Sequence, residues 1–264
     1  MISYPDISPV AIDFGAIKVH WYGLMYLFGF IAALWVGNIR ARKKGSGWIK
    51  EQVSDVIFYG ALGVILGGRI GYILFYNFDI FLNNPFIILR IWEGGMSFHG
   101  GLLGVFIALY FFARKSGKTY FQVADFIAPM VPLGLGFGRL GNFINKELWG
   151  RPVESAVPWA MDYGDHIARH PSALYQAFSE GLVLFIIIYI YSAKPRPAMA
   201  VSGLFMLLYG SFRFITEFYR TPDAHLGFVM FDWMSKGQQL SIPMIITGVV
   251  VLFLAYKNQV KQKV

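Results

Sequence analysis

The chain has 264 residues, of which 56% are hydrophobic, 18% aromatic and only 14% charged, with a formal net charge of +8. Soluble domains carry about a quarter charged residues, and the apolar residues here run in blocks too long for ordinary strands, so a soluble domain is excluded and an all-α polytopic membrane protein is expected. The absence of cysteine excludes disulfides, thiolate metal sites and a cysteine nucleophile, so any thiol chemistry has to use a thiol of the substrate.

Residues 1–20 contain Pro5, Asp6 and Asp13 and have no basic start or early apolar core, which is not the pattern of a cleaved signal peptide. The first span is therefore expected to act as its own insertion signal. It runs from about Trp21 to Gly37, and the second from about Val53 to Tyr76. The apolar piece from Ile80 to Ile91 contains Pro85 and is expected to lie along the interface. The third span covers about Gly100 to Ala113 and the fourth about Phe121 to Phe137. The fifth covers about Ala173 to Tyr191, the sixth Ala200 to Tyr219 and the seventh Leu240 to Tyr256. Residues 1–264 are thus expected to form a single integral membrane domain of seven transmembrane helices. About residues 138–172 would supply an outer signature loop and a small extracytoplasmic cap.

Charge sets the orientation. Arg40, Arg42, Lys43, Lys44 and Lys50 fall between the first two spans, and Arg114, Lys115 and Lys118 between the third and fourth. Lys194 and Arg196 fall between the fifth and sixth, and Lys257, Lys261 and Lys263 form the tail. Thirteen of the 23 basic residues thus lie in short clusters on one side. By the positive-inside rule that side is cytoplasmic, which puts the C-terminus in the cytoplasm and, for seven spans, the N-terminus outside. No nucleic-acid partner is needed to explain the basic clusters. The polar motifs remain for the outer face.

The fourth span leads into Gly-Arg-Leu-Gly-Asn-Phe-Ile-Asn-Lys-Glu, residues 138–147, which puts Arg139, Asn142, Asn145 and Glu147 at the edge of hydrocarbon. An arginine at mid-membrane costs roughly 2.5–3.5 kcal/mol on insertion scales, so compensation is required. Gly134, Gly136 and Gly138, after Pro129 and Pro132, end this span either for close helix packing or to line a wet cavity. In the sixth span Tyr209, Arg213, Glu217 and Arg220 cover an arc of about 80° on one helix face. Such a stripe is either a self-neutralised ladder or the wall of a polar pocket.

His99 precedes the pair Gly100-Gly101 at the start of the third span. It can exchange a proton near neutral pH, the glycines can open helix N-terminal amides to an anion, or the histidine can simply cap the helix. Arg69, in Gly-Gly-Arg-Ile-Gly-Tyr, either serves the site or snorkels outward. Tyr22 follows Trp21, where an aromatic belt is an equal explanation. His170-Pro171-Ser172 reads as a helix start. The five histidines are scattered and form no metal-ligand motif, so neither metal nor cofactor is expected. Arg69, Arg139, Arg213 and Arg220 against Glu147 and Glu217 leave a surplus of two positive charges, which suits an anion such as a phospholipid phosphate held by guanidinium forks.

These motifs together resemble the bacterial prolipoprotein diacylglyceryl transferase family. The likeness lies in residues 138–147, His99-Gly100-Gly101-Leu102 with Gly104, His20-Trp21-Tyr22-Gly23-Leu24, Gly67-Gly68-Arg69-Ile70-Gly71-Tyr72, Arg169-His170-Pro171-Ser172, and Tyr209-Gly210 with Arg213 and Glu217. They occur in the family's order over about residues 20–245. Gln176 departs from the family's usual glutamate, and the 148–172 segment is shorter than in some relatives.

The resemblance implies seven spans with the N-terminus outside, in a bacterial plasma (inner) membrane, and an extracytoplasmic site. It implies transfer of the diacylglyceryl group of phosphatidylglycerol to the lipobox cysteine of a prolipoprotein signal peptide, with release of glycerol 1-phosphate. Arg139 and Arg213 match essential positions and would stabilise the departing phosphate. His99 would act as base or orient the headgroup. Asn142, Tyr209 and Glu147 would bind the glycerol hydroxyls, Glu217 would position Arg213 and Arg220, and Tyr22 would line the lipid site. A transporter or flippase for an anionic lipid is the competing class, although no internal repeat supports it. A structural membrane subunit, a third class, would tolerate substitution at Arg139.

Overall fold

The computed structural model describes residues 1–15, 17–90, 94–153, 157–222 and 227–261. Ile91 of the expected interfacial piece, residues 154–156 of the expected cap and Lys263 of the basic tail lie outside the described residues. In lipid every backbone polar group needs an internal partner, so the long apolar blocks become helix. The long helices are α1 (Trp21–Ala41), α2 (Lys50–Tyr76), α4 (Phe98–Ser116), α9 (Ala200–Thr216) and α10 (Lys236–Lys261). Between α2 and α4 the described residues form the six-residue α3 (Phe78–Asn83) and a 3-10 turn (Pro85–Leu89), each too short to cross a bilayer.

Four helical stretches among the described residues are long and apolar enough to span a membrane: Trp21–Ala41, Lys50–Tyr76, Ser172–Tyr191 and Lys236–Gln259. The pair α5 (Tyr120–Ile127) and α6 (Val131–Ile144), bent by 50°, makes a fifth if counted as one span. The protein is therefore an all-α, multi-pass membrane protein. Phe75, Phe86 and Phe178 are exposed, the pattern of side chains that face lipid rather than water.

The fourth expected span is corrected by the structure. Its break falls at Ala128–Met130, where Pro129 has no N–H to give and disfavours helix in the residue before it. Pro132 then opens α6, which continues through Gly134, Gly136 and Gly138 to Ile144. Arg139 and Asn142 thus stand on a helix rather than in a loop after Phe137.

The chain divides into two compact units, one of Met1–Ala33 with Asp125–Val264, the other Leu34–Ala124. In the second, α2 and α4 meet backbone to backbone. A Cβ on Gly67 would fall 2.3 Å from the Gly100 carbonyl oxygen, and one on Gly104 2.1 Å from that of Gly63.

In the first unit, the span Ser172–Tyr191 consists of α7 (Ser172–Gln176), a π-helical segment (Ala177–Val183) and α8 (Leu184–Tyr191). Two short pairings form in the same unit: β1 (Ile2–Ser3) runs parallel to β4 (Met161–Asp162), and β2 (Val10–Asp13) pairs antiparallel with β3 (Lys18–His20). A third joins β5 (Phe228–Met230) to β6 (Met234–Ser235). The Tyr4 hydroxyl donates to the Phe143 carbonyl at 2.7 Å, tying the N-terminal strand to the end of α6.

α9 has no side-chain cap of its own. Asp125 of α5 supplies one, accepting from the Met199 and Ser202 amides at 2.7 and 2.8 Å and from the Ser202 hydroxyl. Asp125→Ala should cost about 1–2 kcal/mol, the range for losing a helix N-cap. Thermal unfolding of the purified protein in detergent checks this.

Candidate active site

Arg139, Arg213 and Thr216 of the first unit converge on one carboxylate, that of Glu180. α6 and the π-helical segment cross at Gly136 and Gly181, where a Cβ on Gly181 would lie 2.6 Å from the Gly136 Cα. Arg139 stands three residues after Gly136, and Glu180 directly before Gly181. Arg139 donates from both Nε and Nη2 to Glu180 Oε2, each at 3.2 Å. The other oxygen, Oε1, accepts from the Thr216 hydroxyl at 3.3 Å and lies 3.9 Å from Arg213 Nη1. Glu180 is fully buried.

A second carboxylate continues the chain of charges. Arg213 Nη2 lies 2.8 Å from Glu217 Oε2, and Arg220 Nη1 lies 3.8 Å from Glu217 Oε1. The i,i+4 and i,i+3 pairs read from the sequence are thus present. α9 itself ends at Thr216; Glu217–Tyr219 form a 3-10 turn and Arg220 is extended. The buried Glu217 carboxylate abuts Gly237, where a Cβ would fall 2.7 Å from Cδ. Gly237 is the second residue of α10, so the positive end of that helix faces the carboxylate. Tyr209 lies in electrostatic contact with Arg139, Glu180 and Arg213.

Arg139, Arg213 and Arg220 against Glu180 and Glu217 leave one net positive charge in this cluster. The count made from sequence lacked Glu180, and Arg151, in electrostatic contact with Glu217, adds a further positive charge beside the cluster. Arg213 Nη1 is buried and has no hydrogen-bond partner among the described residues. A buried guanidinium N–H without a partner, in a cluster of net positive charge, is suited to an anionic oxygen.

The signature run forms a separate knot at the end of α6. Asn142 donates to Glu147 Oε2 at 2.7 Å and Asn145 to Oε1 at 3.1 Å. Asn142 is buried and Glu147 exposed. Tyr22 packs over Gly141, where a Cβ would meet its ring at 2.9 Å, and its edge meets the Tyr26 ring at 5.3 Å.

The segment after Glu147 latches this end of the unit together. The Thr221 amide donates to the Trp149 carbonyl and the Arg151 amide to the Tyr219 carbonyl, a bridge that pairs Gly150 with Arg220. Arg151 Nε donates to the Arg220 carbonyl at 2.9 Å. Arg169 lies over the Trp149 ring and bonds Asp165, whose carboxyl it holds below the ordinary carboxylate range. His170 Nδ1 lies 3.1 Å from the Tyr175 hydroxyl, and burial pushes the imidazole down, toward its neutral form.

His99 and Arg69 belong to the second unit. His99 is exposed in the first turn of α4, its ring meeting Phe98 edge-on. The cap of that helix is Ser97, which accepts from the Gly100 amide, so neither a capping His99 nor an open Gly100 amide is found. Gly100 serves the packing on α2 instead. Arg69 is buried, and its fork is occupied by the carbonyls of Ile87, Ile88, Gly94 and Gly95. It neither snorkels nor offers a free fork; it ties the segment between α3 and α4 to α2.

Glu180 was missed by sequence reasoning. The signal was present, since it is a lone acidic residue within an apolar span, and such a residue requires a partner. Gln176, one turn earlier, is fully buried as well, and neither atom of its amide has a hydrogen-bond partner among the described residues.

The model of the family described as prolipoprotein diacylglyceryl transferase matches residues 9–254. The chain belongs to the prolipoprotein diacylglyceryl transferase family. The matched span includes every candidate residue from Tyr22 to Arg220. Among relatives, the phosphatidylglycerol–prolipoprotein diacylglyceryl transferase of Photobacterium profundum is 57% identical over 262 residues, covering 98% of this chain and 97% of the relative. That of Vibrio campbellii is 55% identical over 263 residues, covering 99% and 95%. That of Oleidesulfovibrio alaskensis is 56% identical over 261 residues, covering 98% and 97%. For this member of the transferase family, the matched residues include Arg139, Glu180 and Arg213.

Proposed function

We propose that this chain transfers the sn-1,2-diacylglyceryl group of phosphatidylglycerol to the lipobox cysteine of prolipoprotein signal peptides, releasing glycerol 1-phosphate. The observation that carries this reading is the pair of arginines, on different helices, held by one buried carboxylate with a net positive charge. Membership of the transferase family supplies the reaction.

The chemistry follows from the residues. The cysteine sulfur attacks the glyceryl carbon that bears the phosphate. A C–S bond forms, the C–O bond breaks, the electron pair goes to the phosphate oxygen, and the thiol proton is lost. Negative charge thus grows on the phosphate in the transition state, where guanidinium groups held in a low-dielectric site act most strongly. Arg139 and Arg213 bind and stabilise it. Glu217 positions Arg213 and Arg220; Asn142, Glu147 and Tyr209 meet the headgroup hydroxyls; Tyr22 lines the lipid site. Arg69 serves by holding the segment after α3.

A free thiol has a pKa of about 8.5, so attack near neutral pH needs a base. His99 is that base or it orients the headgroup. The pH–rate profile of His99→Gln separates the two: activity regained at high pH identifies the base, and a loss independent of pH identifies the orienting group.

The reading places the enzyme in the bacterial inner membrane with seven spans and an outward-facing site. α4 and α9 supply the two crossings beyond the five apolar ones. The N-terminus and the 138–172 cap then lie outside and the basic clusters inside, in accord with the charge rule. Transfer is separated from lipid transport by product. Glycerol 1-phosphate should appear only when a lipobox peptide bearing cysteine is added; lipid movement without product would support a flippase.

A further inference from the structure

We propose that Glu180 is a positioning residue for the transfer step, the common anchor that fixes both arginines before lipid arrives. This rests on the reading of Arg139 and Arg213 as the phosphate clamp. Three separate features of the fold serve this one carboxylate. The first is the π-helical segment Ala177–Val183, within which Glu180 sits; π-segments are rare and occur often at functional sites. The second is the Gly136–Gly181 crossing, with room for no side chain, which brings the α6 backbone close to the residue beside Glu180. The third is Thr216, one turn from Arg213 along α9 in the opposite direction to Tyr209, whose hydroxyl donates to Oε1.

The carboxylate is divided between its partners. Oε2 takes the Nε and Nη2 edge of Arg139, which fixes the guanidinium plane, while the Tyr209 hydroxyl also hydrogen-bonds this arginine. Oε1 faces Arg213 Nη1 at 3.9 Å, too long for a hydrogen bond, so this group is oriented yet unbonded. Glu217 holds the other end of Arg213. Glu180 itself is fully buried and acts through the arginines, not on the lipid. A neutral residue at 180 would leave the guanidiniums present but free to turn, which lowers turnover more than binding.

The test uses the full-length enzyme in mixed micelles of detergent and phosphatidylglycerol with a lipobox peptide. Glu180→Gln should lower kcat about 100-fold, the scale of a misplaced reacting group, with KM for the lipid changed less than about threefold. Glu180→Asp, which keeps the charge and withdraws it by one methylene, should lower kcat about tenfold at unchanged KM and at the parent melting temperature. Parent-like kcat in Glu180→Gln overturns the proposal. If that variant does not fold, Glu180→Asp decides, and parent-like kcat there overturns it equally. Losses in Arg139→Ala and Arg213→Ala without a loss at Glu180 would remove the anchor alone. Retained turnover in the arginine variants would instead remove the clamp.

Discussion

Arg139→Ala and Arg213→Ala should each lower diacylglyceryl transfer by about 10²–10³-fold or more, the range found when one preorganised donor to a developing oxyanion is removed. Both guanidiniums are largely buried, with side chains 19% and 13% exposed, and both face Glu180. Losing either also strips a buried carboxylate of a partner, at a cost of about 3–5 kcal/mol for a broken buried pair. The assay therefore needs a melting curve beside it, and turnover is to be compared well below the transition. Lysine should restore little at either position. Its ammonium is a point charge, whereas Arg139 uses two nitrogens on one oxygen and Arg213 reaches two carboxylates. Near-parent turnover in folded Arg139→Ala or Arg213→Ala contradicts the clamp.

Gly150→Ala should also be damaging although Gly150 carries no chemistry. A Cβ there would lie 1.9 Å from the His170 carbonyl oxygen, a collision with backbone that no rotamer relieves. The Gly150 carbonyl also accepts from Arg169 Nη1 and the Thr221 hydroxyl, and its backbone pairs with Arg220. Displacing it loosens the latch on the turn that carries Glu217 and Arg220. Overpacking of this kind costs about 1–3 kcal/mol, which lowers the melting temperature by roughly 2–12 °C for a chain of this size. Turnover should fall at least about tenfold, because Glu217 no longer holds Arg213 in place. An unchanged melting temperature and full turnover would show that the latch does not bear on the site.

The parts of this site legible in the sequence are those set by one helix's own period. Arg213, Glu217 and Arg220 could be paired from their spacing, because residues three and four apart face the same way. The helical blocks were legible because hydrocarbon demands long apolar runs. What the sequence did not yield depends on neighbours from elsewhere in the chain. Glu180 reaches Arg139 only because two glycines let α6 and the π-helical segment touch. Arg69 looked like a ligand group until its fork met four carbonyls from the segment after α3. The glycines of the fourth span looked like its end, yet they lie within a continuous helix, with Gly136 against Gly181, and the true break lies at Ala128–Met130, where proline removes a donor.

A structure of the enzyme with phosphatidylglycerol bound tests the central claim most directly. One phosphate should stand within about 3 Å of nitrogens from both Arg139 and Arg213, hydrogen-bonding distance for a guanidinium, with the Glu180 carboxylate still between the two side chains. A phosphate held by neither arginine, or by one while the other turns away, would contradict it.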